Sequence, residues 1–196
     1  SEPTAGTYNT PYSFTCTASG SPAPTFSLAT GTLPAGLSLS TSGVISGTPT
    51  AAGTYTGTLS ASNGIGTAAS QSFNITIQKA TATVTLGSLA QTYDGTARVA
   101  TATTTPSGKT VTFTYDGSST PPTNAGTYQV IGTIVDTNYA GTSTPQNLVV
   151  AKATATVTLG SLAQTYDGTA RVATATTTPS NLNVTYTYSG FATPPT

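Results

Sequence analysis

This sequence predicts an all-β chain of small antiparallel sandwiches set one after another, and three observations carry that reading. Apolar residues recur with a period of two, and no window shows a helical period with caps. Turn signals arrive about every ten residues, which suits a sandwich. A long block of sequence occurs twice, so one structural unit is repeated.

The alternation is clearest in three segments. Phe73, Ile75 and Ile77 interleave with Asn74, Thr76 and Gln78. Ala80, Ala82, Val84 and Leu86 interleave with Thr81, Thr83 and Thr85. Val111, Phe113 and Tyr115 interleave with Thr110, Thr112 and Thr114. Side chains on a strand point alternately to opposite faces, so each segment has one apolar face and one polar face, as a half-buried antiparallel strand requires. Asp94-Gly95, Asp116-Gly117 and Asp167-Gly168 read as hairpin-type turns.

Residues 79–107 and 152–180 are identical, residue for residue. The register continues beyond the block: Val111-Thr112-Phe113-Thr114-Tyr115 aligns with Val184-Thr185-Tyr186-Thr187-Tyr188, and Thr120-Pro121-Pro122-Thr123 with Thr193-Pro194-Pro195-Thr196. One complete unit is therefore expected over 79–151. A second begins at 152 and lacks the counterpart of 124–151, so it is expected to be truncated and poorly packed, with open sheet edges. Residues 1–78 form a first unit of different sequence but similar plan. Both complete units carry Ala-Gly-Thr-Tyr before a late strand, at Ala52-Gly53-Thr54-Tyr55 and Ala125-Gly126-Thr127-Tyr128. Immunoglobulin-like sandwiches place a tyrosine at such a corner, its hydroxyl tied back to nearby backbone. The fold class is thus tandem immunoglobulin-like antiparallel β-sandwich domains in an extended string. The last strand of one unit runs into the first of the next without Gly or Pro, at Gln78-Lys79 and Ala151-Lys152, which favours a semi-rigid string over a flexible one.

Composition excludes several partners. Only 5% of the 196 residues are charged, with Lys+Arg and Asp+Glu at 5 each and net charge +0. Phosphate binding draws its affinity from clustered Lys and Arg, so neither nucleic acid nor an anionic membrane is expected as a partner. Thr makes up about a quarter of the chain, a strong departure from ordinary usage. Thr is β-branched and suits a pleated strand, and its hydroxyl hydrates a surface without charging it. No stretch reaches the ~20 apolar residues of a membrane span. There is no signal peptide, and the chain reads as an excised segment of a longer protein. Cys16 is the one cysteine. It shares the apolar face of Tyr12, Phe14 and Ala18, and reads as a core residue rather than a reactive thiol.

Two families are recognisable at this point. Thr32-Leu33-Pro34-Ala35-Gly36-Leu37-Ser38-Leu39, Ser42-Gly43-Val44-Ile45-Ser46-Gly47-Thr48-Pro49 and Ala52-Gly53-Thr54-Tyr55 make residues 1–78 resemble the bacterial putative-Ig repeat, a relative of cadherin-like domains. Leu33, Leu37, Leu39 and Ile45 would serve its core. Tyr93-Asp94-Gly95-Thr96-Ala97, Pro121-Pro122-Thr123-Asn124-Ala125-Gly126-Thr127-Tyr128 and Asp136-Thr137-Asn138-Tyr139 make residues 79–151 resemble the MBG-type repeat of secreted bacterial proteins, and 152–196 repeat its first part. The resemblance implies a large bacterial surface or secreted protein, often adhesin-like, with no defined ligand.

Catalysis finds no support in the residues. There is no His, so Ser hydroxyls lack an evident activator. Glu2 is the only carboxylate of the first unit, and in the second Asp94 and Asp116 precede Gly in turns while Asp136 sits in a loop. No catalytic, cofactor-binding or metal residue is therefore assigned. Calcium enters through the cadherin-like resemblance. A calcium site wants six to eight oxygens with several carboxylates. Related repeats carry Asp where this chain has Asn63, and the remaining candidates are Asp136, Asn138 and backbone carbonyls. Sugar-binding sandwiches use exposed aromatic platforms. The chain has no Trp, and Tyr93, Tyr139 and Tyr166 are the tyrosines beside turns. The expectation is a structural and display role on neighbouring immunoglobulin-like domains, outside the cell or at its surface, with a glycan- or glycoprotein-binding module, calcium-assisted or not, as the alternative.

Overall fold

The computed structural model describes residues 2–196, and its 17 regular elements are all strands. The first seven are β1 (Gly6–Thr7), β2 (Tyr12–Thr15), β3 (Thr25–Gly31), β4 (Leu37–Leu39), β5 (Val44–Gly47), β6 (Gly53–Ser62) and β7 (Ala69–Gln78). They form two sheets, β1-β7-β6-β3 and β2-β5-β4. All pairings are antiparallel except that of β1 with the end of β7, Gly6 opposite Ile77. The alternating residues do what the period dictates: Phe73, Ile75 and Ile77 are buried while Asn74, Thr76 and Gln78 are exposed. They close a core with Tyr12, Ile45 and Leu59, against which Phe14, Cys16, Leu33, Leu37, Leu39 and Tyr55 pack. Cys16 is half-buried in that core, and burial pushes its thiol pKa up, away from the reactive thiolate.

A second set follows after the single residue Lys79. It comprises β8 (Ala80–Thr81), β9 (Thr83–Gly87), β10 (Ala90–Thr92), β11 (Thr101–Thr105), β12 (Thr110–Tyr115), β13 (Gly126–Val135), β14 (Tyr139–Ala140) and β15 (Gln146–Ala151). One sheet has the order β10-β15-β13-β12, and β9 pairs with β11 and β8 with β14 to complete the other face. Its core is Leu86, Ala100, Tyr115, Val130, Leu148 and Val150. Tyr115 binds this core to the backbone, its hydroxyl accepting the Ala100 N–H at 3.0 Å. Residues 152–196 contribute β16 (Thr156–Gly160) and β17 (Thr174–Thr178), an antiparallel pair. Their apolar side chains remain outside a core: Val157, Leu159, Leu162, Val172, Leu182 and Phe191 are all exposed.

Both corner tyrosines sit as the fold class demands. The Tyr55 hydroxyl donates to the Ala51 carbonyl at 3.4 Å and the Tyr128 hydroxyl to the Asn124 carbonyl at 3.0 Å. The turns divide. Asp116-Gly117 is a true two-residue hairpin turn: both residues have positive φ, and Tyr115 and Ser118 exchange both backbone hydrogen bonds. Asp94-Gly95 and Asp167-Gly168 are not hairpin turns, which corrects the expectation. In the first, the chain crosses from β10 in one sheet to β11 in the other, so the flanking segments cannot pair. The Asp94 carboxylate instead caps the Thr96 N–H at 2.9 Å and pairs with Arg98, and Asp167 does the same with Thr169 and Arg171. Among the described residues no helix is long and apolar enough to cross a membrane.

Candidate functional site

A cluster of polar side chains lies where the first sandwich meets the second, and one loop of the second builds it. Residues 136–139 leave the end of β13 and enter β14, which pairs in parallel with β8 directly after Lys79. Asp136 shapes the loop. Its Oδ1 accepts the N–H groups of Asn138 at 2.8 Å and Tyr139 at 3.0 Å, the local capping that short carboxylate side chains offer. Its Oδ2 accepts the Lys109 ammonium at 3.1 Å. These bonds, the Asn138 amide first and the lysine next, hold the Asp136 pKa below the ordinary carboxylate value. The Lys79 ammonium reaches the Asp136 carbonyl at 2.6 Å.

With the loop fixed, its two outer side chains reach the first sandwich. Asn138 Oδ1 accepts the Ala52 N–H at 2.9 Å. The Tyr139 ring meets Tyr8 edge to face, 5.3 Å between centroids at 74°, within the preferred geometry for aromatic pairs. Lys109 stands 4.1 Å from the Tyr139 ring centroid, a cation over a π face as well as a partner to Asp136. Close approach helps: just past β14, a Cβ on Gly141 would stand 1.9 Å from the Ala82 carbonyl oxygen, so only glycine lets the strand end pack there.

The arrangement reassigns the residues singled out from sequence. Asp136 and Asn138 do not converge as calcium ligands. The Asp136 carboxylate is taken by two N–H groups and an ammonium, and the Asn138 oxygen faces the other sandwich. A calcium ion would have to displace the lysine and break the cap, so these residues do not fit the ion. Among the described residues no three His, Cys, Asp or Glu side chains are grouped to hold a metal. Asn63 is a loop tie, its amide donating to the Pro22 carbonyl at 3.1 Å and its oxygen accepting the Ile65 N–H at 3.1 Å. Tyr139 is half-buried between Tyr8 and Lys109 and offers no free platform, while Tyr93 and Tyr166 are exposed. Sequence reasoning missed Tyr8, Ala52, Lys79 and Lys109. One signal was present: in a chain with five cations, each lysine is a conspicuous candidate partner for an aspartate.

Comparison with known proteins finds both families, in the order read from the sequence. Residues 1–78 match the family described as Putative Ig domain, and residues 82–154 and 155–196 match the family described as MBG domain. No curated protein sequence matches the chain. Solved structures with chain-wide likeness include the N-terminal four Ig domains of Dscam1 isoform 7.44, at 17% identity and TM-score 0.40, covering 78% of this chain and 44% of that one. The N-terminal eight Ig domains of Down Syndrome Cell Adhesion Molecule isoform 1.30.30 align at 15% identity and TM-score 0.41, covering 80% and 26%. Extracellular cadherin domains 3-6 of Protocadherin Gamma B2 align at 15% identity and TM-score 0.36, covering 90% and 54%. The chain spans about half or less of each, and likeness at this level carries no functional conclusion.

Proposed function

Because the chain belongs to the MBG domain family, through residues 82–154 and 155–196, we propose that it is a non-catalytic structural segment of a bacterial surface or secreted protein, whose stacked immunoglobulin-like units space and display other domains. The units we assign are 1–78, 79–151 and 152–196. The observation that carries the reading is the joint at Lys79. A side-chain cap from Asn138 to Ala52, an aromatic pair from Tyr139 to Tyr8 and a one-residue linker hold one sandwich against the next. Side chains spent on fixing neighbours relative to each other serve a spacer, whereas a ligand site needs convergent groups left free. The sparsely charged, hydroxyl-rich exterior fits an exposed extracellular surface, and neighbouring units of the same protein are the partners assigned.

The test pairs small-angle scattering with a binding panel. The full chain is expected to scatter as one extended particle, with Asn138→Ala plus Tyr139→Ala broadening its distance distribution. No saturable binding is expected to immobilised polysaccharides and glycoproteins, with calcium or with chelator. Saturable binding lost on Tyr93→Ala would replace the spacer reading with a glycan-binding one.

A further inference from the structure

We propose that the end of the second unit around Tyr93 and Ala125 is a socket for the Asp-Thr-Asn-Tyr loop of a following MBG-type unit, so that the joint at Lys79 is one copy of a reusable connector. The inference deepens the spacer reading and rests on it. The receiving half of the joint is Tyr8 and Ala52, and both have counterparts. Tyr8 follows β1, which pairs in parallel with the last strand β7, and its N–H donates to the Gln78 carbonyl at 2.9 Å. Tyr93 follows β10, which pairs in parallel with the last strand β15, and its N–H donates to the Ala151 carbonyl at 2.8 Å. Each tyrosine thus stands beside the residue preceding a lysine, Lys79 or Lys152, that opens the next unit. Ala52 and Ala125 each begin Ala-Gly-Thr-Tyr, with the tyrosine hydroxyl on the carbonyl four residues back. Two units of different sequence therefore present the same tyrosine and the same alanine N–H at the same end.

Only the first socket is filled. Tyr8 is half-buried against Tyr139, and Ala52 is capped by Asn138. Tyr93 is 40% exposed, and among the described residues no side chain caps the Ala125 N–H. Tyr93, Asn124, Ala125, Lys152, Ala155 and Leu182 line a cleft of about 270 Å³ beside the second junction. The loop that fills the first socket comes from the unit following it. In the register of the repeat, the counterpart of 136–139 in the third unit falls past residue 196. The two joints would differ at one point: Lys109 has Leu182 as its counterpart, so the second would keep the asparagine cap and the tyrosine pair but replace the ammonium by apolar contact.

The test extends the full chain at Thr196 with a copy of residues 124–151, which completes the repeat in register. A second version replaces 152–196 with an entire copy of 79–151, so that every residue of the added unit is one that folds in this chain. Hydrogen–deuterium exchange at the Ala125 amide is the readout, with the amides of 163–165, the counterparts of β10 that gain a strand partner only when the repeat is complete, reporting that the added unit has folded. The expected result is Ala125 exchange slowed about tenfold relative to the unextended chain, the order of one hydrogen bond, and restored by Asn138→Ala in the copy. Unchanged Ala125 exchange in a folded version of either chain would overturn the socket. That outcome would leave the spacer reading standing, since scattering and the binding panel test it separately.

Discussion

Residues 79–107 and 152–180 have one sequence and two environments. Within the block the structures agree closely. β9 and β11 pair with Thr101 opposite Gly87, and β16 and β17 pair with Thr174 opposite Gly160. Gln91 donates to the Ser88 and Val99 carbonyls, and Gln164 to those of Ser161 and Val172. Beyond these local bonds the copies part. Leu86 is 8% exposed and Leu159 is 51% exposed. Residues 90–92 are a strand and residues 163–165 are not. The difference is the partner strand: β10 exists because β15 pairs with it, and Leu86 is buried because β13 and β15 supply Val130, Leu148 and Val150. A local strand pair is set by its own hydrogen bonds, and a core is set by what arrives from elsewhere in the chain.

That comparison can be broken most sharply at the paired leucines. Leu86→Ala removes a buried side chain and is expected to cost about 2–5 kcal/mol, lowering the calorimetric transition of the second unit by ~10 °C or more. Leu159→Ala, the same substitution in the same local sequence, is expected to stay within about 0.5 kcal/mol. Equal effects would mean that the third unit has a core of its own.

The paired tyrosines sharpen it. Tyr115→Phe leaves the buried Ala100 N–H without its acceptor and is expected to cost about 1–3 kcal/mol in denaturant unfolding. Tyr188→Phe removes the same bond to Ala173, at 3.0 Å, where water can substitute, and is expected to cost less than about 1 kcal/mol.

Acid acts on the joint. The Asp136 carboxyl titrates below its ordinary range because the Asn138 N–H and then Lys109 bind the ionised form. Its contribution is therefore complete above the ordinary carboxylate range and is lost as pH falls through the lowered value. In an NMR titration the Asn138, Tyr139 and Ala52 amides should shift together at the acid end, and Asp136→Asn should abolish the transition. Independent titration of Ala52 would separate the cap from the carboxylate. The smallest effect is expected from deleting 152–196, which should leave the melting of 1–151 within about 0.5 kcal/mol of its original stability. A large loss would show that the exposed third unit supports the second.

The candidate site was half legible. The loop Asp136-Thr137-Asn138-Tyr139 stood out as polar and unexplained, and the corner tyrosines were placed correctly by a motif that carries its own hydrogen bond. What each loop residue touches was not legible, because Tyr8 and Ala52 lie in a different sandwich, far away in sequence. Asp136 suggested a cation site, and it does hold a positive charge, the ammonium of Lys109. The turns at Asp94 and Asp167 show the same limit. Asp-Gly reports a reversal of the chain, but whether the flanking strands share a sheet depends on where the chain goes next.

The sequence alone determined the alternating apolar faces, the repeat and the two corners, since each follows from side-chain alternation or from bonds closed within a few residues. Only the tertiary structure decided which copy of an identical segment has a core, and that a loop of one unit caps the unit before it. Both depend on surfaces brought together across long stretches of chain, and no local pattern records which surface will arrive.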